Sequence, residues 1–165
     1  MDTWILYIIL LPIVIYIISL IVYILGNMLN DSQYESSQLH SISVIVAVKN
    51  GEKSLPNILL DLENQTYEGQ YECIIVDDQS NDNTATIIKG FKNNNKFKYV
   101  SSIEGNKDLL FKKRALDAGI KKSQFDILLF TDVDCRLKSN WIKSMATCFK
   151  NNVDYVIGFS KISKA

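Results

Sequence analysis

Two pairs of aspartates have a spacing that can do chemistry, Asp77-Asp78 and Asp132-x-Asp134. Each closes a short apolar stretch, residues 72–76 in one case and 126–130 in the other. Two carboxylates one residue apart at the mouth of a strand can point into one shared space. Hard oxygen ligands of this kind suit Mg²⁺ or Mn²⁺, above all where substrate phosphates complete the shell. A single Asp-x-Asp is more often a polar turn. A second acidic pair at the matching end of another strand shifts the reading toward a site. In an empty crevice these carboxylates repel one another, and a divalent cation or a cationic partner relieves that cost. Asn50 and Glu52 follow a third apolar run, and Lys112, Lys113 and Arg114 form a basic cluster. At least two of those three basic residues read as a solvated face. Lys112 or Lys113 can instead reach a diphosphate in the same crevice.

These groups need a scaffold that brings strand ends together. Ser43–Val48 is a short β-branched run that reads as a buried parallel strand. Residues 72–76, 97–100 and 126–130 read as three more strands, and Val153–Phe159 as the start of a fifth. Helices are expected between them. One is capped by Ser54, with Pro56 in its first turn and Leu55, Ile58, Leu59 and Leu62 inward; a second runs through Thr84, Ile87 and Ile88 and stops at Gly90. A third covers Asp108–Ala118, with Leu109, Ala115 and Leu116 inward and Gly119 as its C-cap; a fourth follows Ser139 or Asn140 and holds Trp141, Ile142, Met145 and Phe149. Strand and helix in alternation predict an α/β fold, a Rossmann-like, mostly parallel sheet with helices on both faces. Ligands of such sheets bind beyond the carboxyl ends of the strands.

The charge distribution separates this domain from what precedes it. All 18 Lys and Arg lie at Lys49 or beyond, while residues 1–48 carry only Asp2, Asp31 and Glu35. Ile5–Leu25 is uncharged and apolar except for Pro12 and Ser19. At ~1.5 Å per residue a helix of that length spans about 31 Å, close to a bilayer's hydrocarbon thickness. Trp4, Tyr7 and Tyr23 stand near its ends, at headgroup level. The start lacks a basic residue and the run is long for a cleaved signal peptide. The expected organisation is a transmembrane helix over 4–25, a juxtamembrane tether over 26–41 rich in Asn, Ser and Gln, and a domain over 42–165. The basic residues beyond Lys49 weakly favour a cytoplasmic carboxyl side.

Other chemistries lack their parts. Cys73, Cys135 and Cys148 are odd in number and widely spaced, unlike a disulfide framework. One histidine, His40, leaves a zinc site without ligands and reads as an ordinary exposed residue. Asn93–Asn95 reads as an exposed turn. The overall charge is balanced, so nucleic acid is not expected as a partner. No P-loop or dinucleotide fingerprint occurs.

Four segments in order resemble family 2 glycosyltransferases, the inverting enzymes of the A-type fold, over Ile42–Phe159. Val46-Ala47-Val48-Lys49-Asn50-Gly51-Glu52 is similar to the family's Val-Pro-x-Tyr/Arg-Asn-Glu-Glu, with the proline and second acid altered. Ile74-Ile75-Val76-Asp77-Asp78-Gln79-Ser80-Asn81-Asp82-Asn83-Thr84 closely resembles Ile-Ile-Val-Asp-Asp-x-Ser-x-Asp-x-Thr. Lys112–Gly119 resembles Gly-Lys-x-x-Ala-Leu-Asn-x-Gly from its lysine onward, and Thr131-Asp132-Val133-Asp134-Cys135 resembles the Asp-Ala-Asp metal motif.

The resemblance implies a nucleoside diphosphate sugar as donor and Mg²⁺ or Mn²⁺ as cofactor. Asn50 and Glu52 would lie beside the nucleotide; Asp78, supported by Asp77, would hold base or ribose; Lys112 would reach the diphosphate. Asp132 would sit by ribose and metal, and Asp134 would be the main protein ligand of the cation. A hydroxyl of a glycan or lipid-linked acceptor would attack the anomeric carbon from the opposite face. The family's acidic base motif and Gln/Arg-x-x-Arg-Trp motif, in its acceptor-binding half, have no counterpart in these 165 residues. Glu104 and Asp108 are acids without an assigned role. The A-type fold is therefore expected incomplete, and a truncated or degenerate membrane-tethered nucleotide-sugar binding module is the alternative to an active transferase. A nucleotidyltransferase would need a glycine-rich basic loop where residues 49–53 stand. Membrane anchoring is common in the family, and a donor made in the cytosol implies a cytoplasmic domain.

Overall fold

The computed structural model describes residues 3–29, 39–91, 95–149 and 153–161, in two compact units divided after Glu35. The first unit is helix α1, Thr3–Leu29. Its segment Tyr7–Gly26 is long and apolar enough to cross a membrane. Pro12 is accommodated within it, and Ser19 donates its hydroxyl to the Ile15 carbonyl at 2.8 Å, so the polar side chain stays satisfied on an apolar helix. Most of the expected tether, residues 30–38, lies outside the described residues, as do Asn93 and Asn94; Asn95 is an exposed turn residue.

The second unit is built on four parallel strands, β1 (Ile42–Val48), β2 (Tyr71–Asp77), β3 (Phe97–Ser101) and β4 (Ile127–Asp132), in the order β3-β2-β1-β4. β1 pairs with β2 from Ile42↔Tyr71 to Val48↔Asp77 and with β4 from Ile42↔Ile127 to Ala47↔Asp132. The chain winds outward from β1 through β2 to β3, then returns to the other side of β1. The direction of winding thus reverses between β1 and β4, and a crevice opens at the strand ends there.

Alternate residues face opposite layers. Val44, Val46, Val48, Cys73 and Ile75 pack under helices α2 (Leu55–Glu63), α3 (Thr84–Gly90) and α5 (Trp141–Ala146). Leu55, Ile58, Leu59 and Leu62 of α2 are fully buried there, each contributing roughly 1.5–3 kcal/mol. Ile45, Ile74, Val76 and Val100 face helix α4, Lys112–Lys122, through Ala115 and Ala118. The burial of Cys73 pushes its thiol up to about 12, which leaves it inert at neutral pH.

Several expectations are corrected. α4 begins at Lys112 rather than Asp108, and Gly119 is inside it, not its cap. A Cβ at Gly119 would come 2.6 Å from Cγ2 of Ile45 and 3.1 Å from Cγ2 of Val76, so the glycine permits close helix–sheet approach. Ser54 and Asn140 occupy N-cap positions without a side-chain capping bond, and Phe149 falls beyond α5. Residues 153–161 form no strand: Tyr155, Ile157 and Phe159 are exposed, because their alternation meets no partner backbone among the described residues. His40 is half-buried rather than free. Its Nε2 lies 3.0 Å from the Phe149 carbonyl, its N–H donates to the Tyr67 hydroxyl, and that hydroxyl donates to the His40 carbonyl at 2.7 Å. Burial pushes the Tyr67 phenol up, although its bond to His40 opposes this.

Candidate functional site at the carboxyl ends of the strands

A cleft of about 470 Å³ opens at the reversal point, lined by Ala47, Val48 and Lys49 after β1, Asp78 after β2, Phe111 and Lys112 at the start of α4, and Asp132, Val133 and Asp134 after β4. The parallel register sets this convergence, since Val48 pairs with Asp77 and Ala47 with Asp132. Four of the residues singled out from sequence, Asp78, Lys112, Asp132 and Asp134, therefore share one space.

Their states differ. The Lys112 ammonium is ion-paired with the Asp132 carboxylate across the cleft. Asp134 is exposed, and its carboxylate has no hydrogen-bond partner among the described residues. Asp78 is held by its backbone N–H, which donates to the Val48 carbonyl at 2.8 Å. Only 8% of Asp78 is exposed, and its carboxylate likewise lacks a protein partner among the described residues. Asp77, one residue earlier, is turned away. Its Oδ1 accepts from the Ser80 N–H at 3.0 Å, and the Tyr99 hydroxyl lies 3.4 Å from its Oδ2. Burial, reinforced by the Asp77 charge, pushes the Tyr99 phenol up.

Asn50 and Glu52 stand beside the cleft and tie its loops together. The Asn50 N–H donates to the Ser80 hydroxyl at 2.8 Å, and its side-chain carbonyl accepts from the Asn81 N–H at 2.9 Å. Glu52 Oε2 accepts from the backbone and side-chain N–H groups of Asn83 at 3.2 and 3.1 Å. The Gly51 N–H donates to the Thr84 hydroxyl at 2.8 Å; a Cβ at Gly51 would collide with Val48. Asp82 accepts from the Thr84 and Glu52 backbones, and bonds to Thr84 first hold its carboxyl below the usual range.

The loop carrying Asp132 and Asp134 is pinned from below by residues that periodicity did not single out. Asp61 on α2 accepts both Arg136 Nε and Nη2, at 2.8 and 2.9 Å, and the Leu137 N–H at 2.9 Å. The Arg136 hydrogen bonds hold the Asp61 carboxyl below its usual range. Gln65 donates to the carbonyls of Asp61 and Lys138 and accepts from the Ile142 N–H at 2.9 Å. Gln65 lies just past Asn64, the C-cap of α2, where a polar residue carries no local signal of these contacts.

Of the two acids without a role, Glu104 pairs with Lys122 at 2.7 Å and completes a capping box with Ser101. The Lys122 bond lowers its carboxyl. Asp108 is exposed. Asp117 accepts from the Asn106 N–H at 2.6 Å and from Lys121 at 2.8 Å, bracing the approach to α4.

Among the described residues, no group of three or more His, Cys, Asp and Glu side chains converges to cage a metal. Asp134 and Asp132 carry hard carboxylate oxygens, the donor type Mg²⁺ takes where water and phosphate oxygens fill most of its shell. The residues fit a divalent cation on those terms.

The sequence model of glycosyl transferase family 2 matches residues 43–164. The 4,4'-diaponeurosporenoate glycosyltransferase of Staphylococcus haemolyticus is 36% identical over 111 residues, 66% of this chain and 28% of that protein. The poly-beta-1,6-N-acetyl-D-glucosamine synthase of Staphylococcus epidermidis is 33% identical over 118 residues, 72% of this chain and 27% of that protein. The structure of S. aureus TarS 1-349 in complex with UDP-GlcNAc superposes with a TM-score of 0.53 at 28% identity, over 63% of this chain and 29% of that one. The chain thus spans less than a third of the length of these relatives.

Proposed function

The chain belongs to glycosyl transferase family 2, and from that premise we propose that its second unit is the donor-binding part of a transferase for nucleoside diphosphate sugars. The observation that carries this reading is the meeting of Asp78, Lys112, Asp132 and Asp134 in one cleft at the reversal of strand order. Asp78 is nearly buried yet unpaired, so its carboxylate is free to accept N–H or O–H donors from base or ribose. Asp77, Asn50 and Glu52 shape the walls through the bonds to residues 80–83. Lys112 pairs with Asp132 in the free protein and would turn to the diphosphate when the donor enters. A Mg²⁺ or Mn²⁺ held by Asp134 and Asp132 would neutralise charge on the diphosphate oxygens as the sugar leaves.

Transfer with inversion requires a hydroxyl acceptor, a glycan or a lipid-linked one, approaching the face of the sugar away from the diphosphate. The relative named as a poly-beta-1,6-N-acetyl-D-glucosamine synthase supports a glycan acceptor. We further propose that α1 anchors the chain in a membrane, with the second unit on the cytoplasmic side where nucleotide sugars are made. Its uncharged span from Tyr7 to Gly26 supports the anchor.

Calorimetric titration of the full chain in detergent micelles with UDP, GDP and their sugar conjugates, with Mn²⁺ and with a chelator, tests the donor site. Saturable, Mn²⁺-dependent binding of one nucleotide is expected. A folded, monodisperse protein that binds neither would overturn the reading.

A further inference from the structure

Phe111 holds the N-cap position of α4 with φ 53° and ψ −141°, a conformation that glycine takes freely and other residues adopt at a cost. Packing does not repay that cost, because Phe111 is 76% exposed. Its backbone carbonyl starts the helix, accepting from the Arg114 N–H at 2.9 Å, a task any residue can perform. The side chain is what distinguishes it, and that side chain lines the cleft with Lys49, Asp78, Lys112, Asp132 and Asp134. Lys112, its neighbour in sequence, points to the acidic end. The remaining described lining residues, Ala47, Val48 and Val133, are small and aliphatic, so Phe111 is the aromatic surface of the cleft lining.

We propose that Phe111 is a stacking platform for the base of the nucleotide, a specificity-determining residue of the donor site; the inference rests on the donor-site reading above. A nucleoside diphosphate presents two unlike ends. Its diphosphate matches Lys112 and the Asp132–Asp134 pair with a cation. Its base is a flat π system, which an unpacked phenyl face receives by offset stacking. The unpaired Asp78 carboxylate in the same cleft favours a base with a ring N–H donor, as in uracil or guanine.

The test uses the full chain in detergent micelles with Mn²⁺, titrated with UDP, GDP, UDP-sugar and inorganic pyrophosphate. Wild-type protein should bind UDP or GDP more tightly than pyrophosphate. Phe111→Ala should weaken the preferred nucleotide about tenfold, within the range known for base–aromatic stacking, and leave pyrophosphate within about twofold. Phe111→Tyr should restore nucleotide affinity, and matched thermal midpoints of the variants control for folding. Unchanged nucleotide affinity in Phe111→Ala overturns the proposal. So does an equal loss for pyrophosphate, which would make Phe111 a determinant of loop shape, or a loss confined to the UDP-sugar, which would assign the ring to the sugar. Wild-type protein that binds pyrophosphate but no nucleotide more tightly refutes stacking while leaving the diphosphate half of the site standing; wild-type protein that binds none of these refutes the donor site itself.

Discussion

Lys112 and Asp132 face each other across the cleft as an ion pair, the lysine from the first turn of α4 and the aspartate from the last residue of β4. The repulsion expected between clustered carboxylates is thus partly relieved by the protein's own cation. Both partners are more than half exposed. Lys112→Met should therefore change stability by less than about 1 kcal/mol. Nucleotide affinity should fall by roughly tenfold or more, since a charge-assisted contact to phosphate is lost. Thermal denaturation and calorimetry on the same variant separate the two effects.

Gly119→Ala tests the α4–sheet contact. In an exposed helix the change would gain about 1 kcal/mol of helix propensity. Here the added methyl would meet Cγ2 of Ile45 in the middle of β1, with no flexible atom able to yield. A net loss of about 1–3 kcal/mol is expected, measured by denaturant unfolding.

Phe111→Gly should act in the opposite direction on stability. Relief of the strained backbone, about 1–3 kcal/mol, outweighs the added chain entropy of glycine, about 0.5–1 kcal/mol. A rise of roughly 1 kcal/mol in unfolding free energy is expected, measured by denaturant titration. A more stable protein with a weaker nucleotide site would mark Phe111 as kept for binding.

Acid should loosen the sheet through Glu72. This buried carboxylate accepts from the Ser43 hydroxyl at 2.6 Å and the Gln124 N–H at 2.7 Å, and pairs with Lys98 at 2.6 Å. Burial pushes its carboxyl up, but Lys98, Ser43 and Gln124 together outweigh it, so the group ionises below its ordinary value. A depressed folded-state value means that the stabilisation is present above the unfolded-state range of about 4. It is lost as pH falls through the lower folded-state value. Glu72→Gln should lower stability by about 1–3 kcal/mol at pH 7 and flatten the decline between pH 5 and 3, measured by urea unfolding across that range.

Four of the five expected strands, and the position of both aspartate pairs at strand ends, were legible because they are local signals: a β-branched run such as Val44–Val48 has one use in an alternating α/β chain, and Asp77-Asp78 closes the next such run. Gly119 was misread because a glycine near a helix end carries the same local signal whether it caps the helix or admits a strand side chain. The clasp of His40 by Tyr67 and Phe149 joins residues far apart in sequence, which composition cannot foresee. Asp61 looks like a solvent-facing helix residue, and Gln65 like part of a polar helix end, until the loop after β4 folds over them. Residues 153–161 have the alternation of a strand, but a strand exists only through its ladder, and that requires a neighbour that local pattern does not specify.

The account centres on a cation shared between Asp134 and the donor's diphosphate, with no complete protein cage. The direct measurement is the electron paramagnetic resonance signal of free Mn²⁺ added to the full chain in micelles, with and without UDP or GDP, for wild-type protein and Asp134→Asn. Wild-type protein should take up Mn²⁺ strongly only when the nucleotide is present, beyond what the nucleotide binds alone, and Asp134→Asn should abolish that excess while its thermal midpoint stays unchanged. Equal uptake by Asp134→Asn, or full uptake by wild-type protein without nucleotide, would contradict the account.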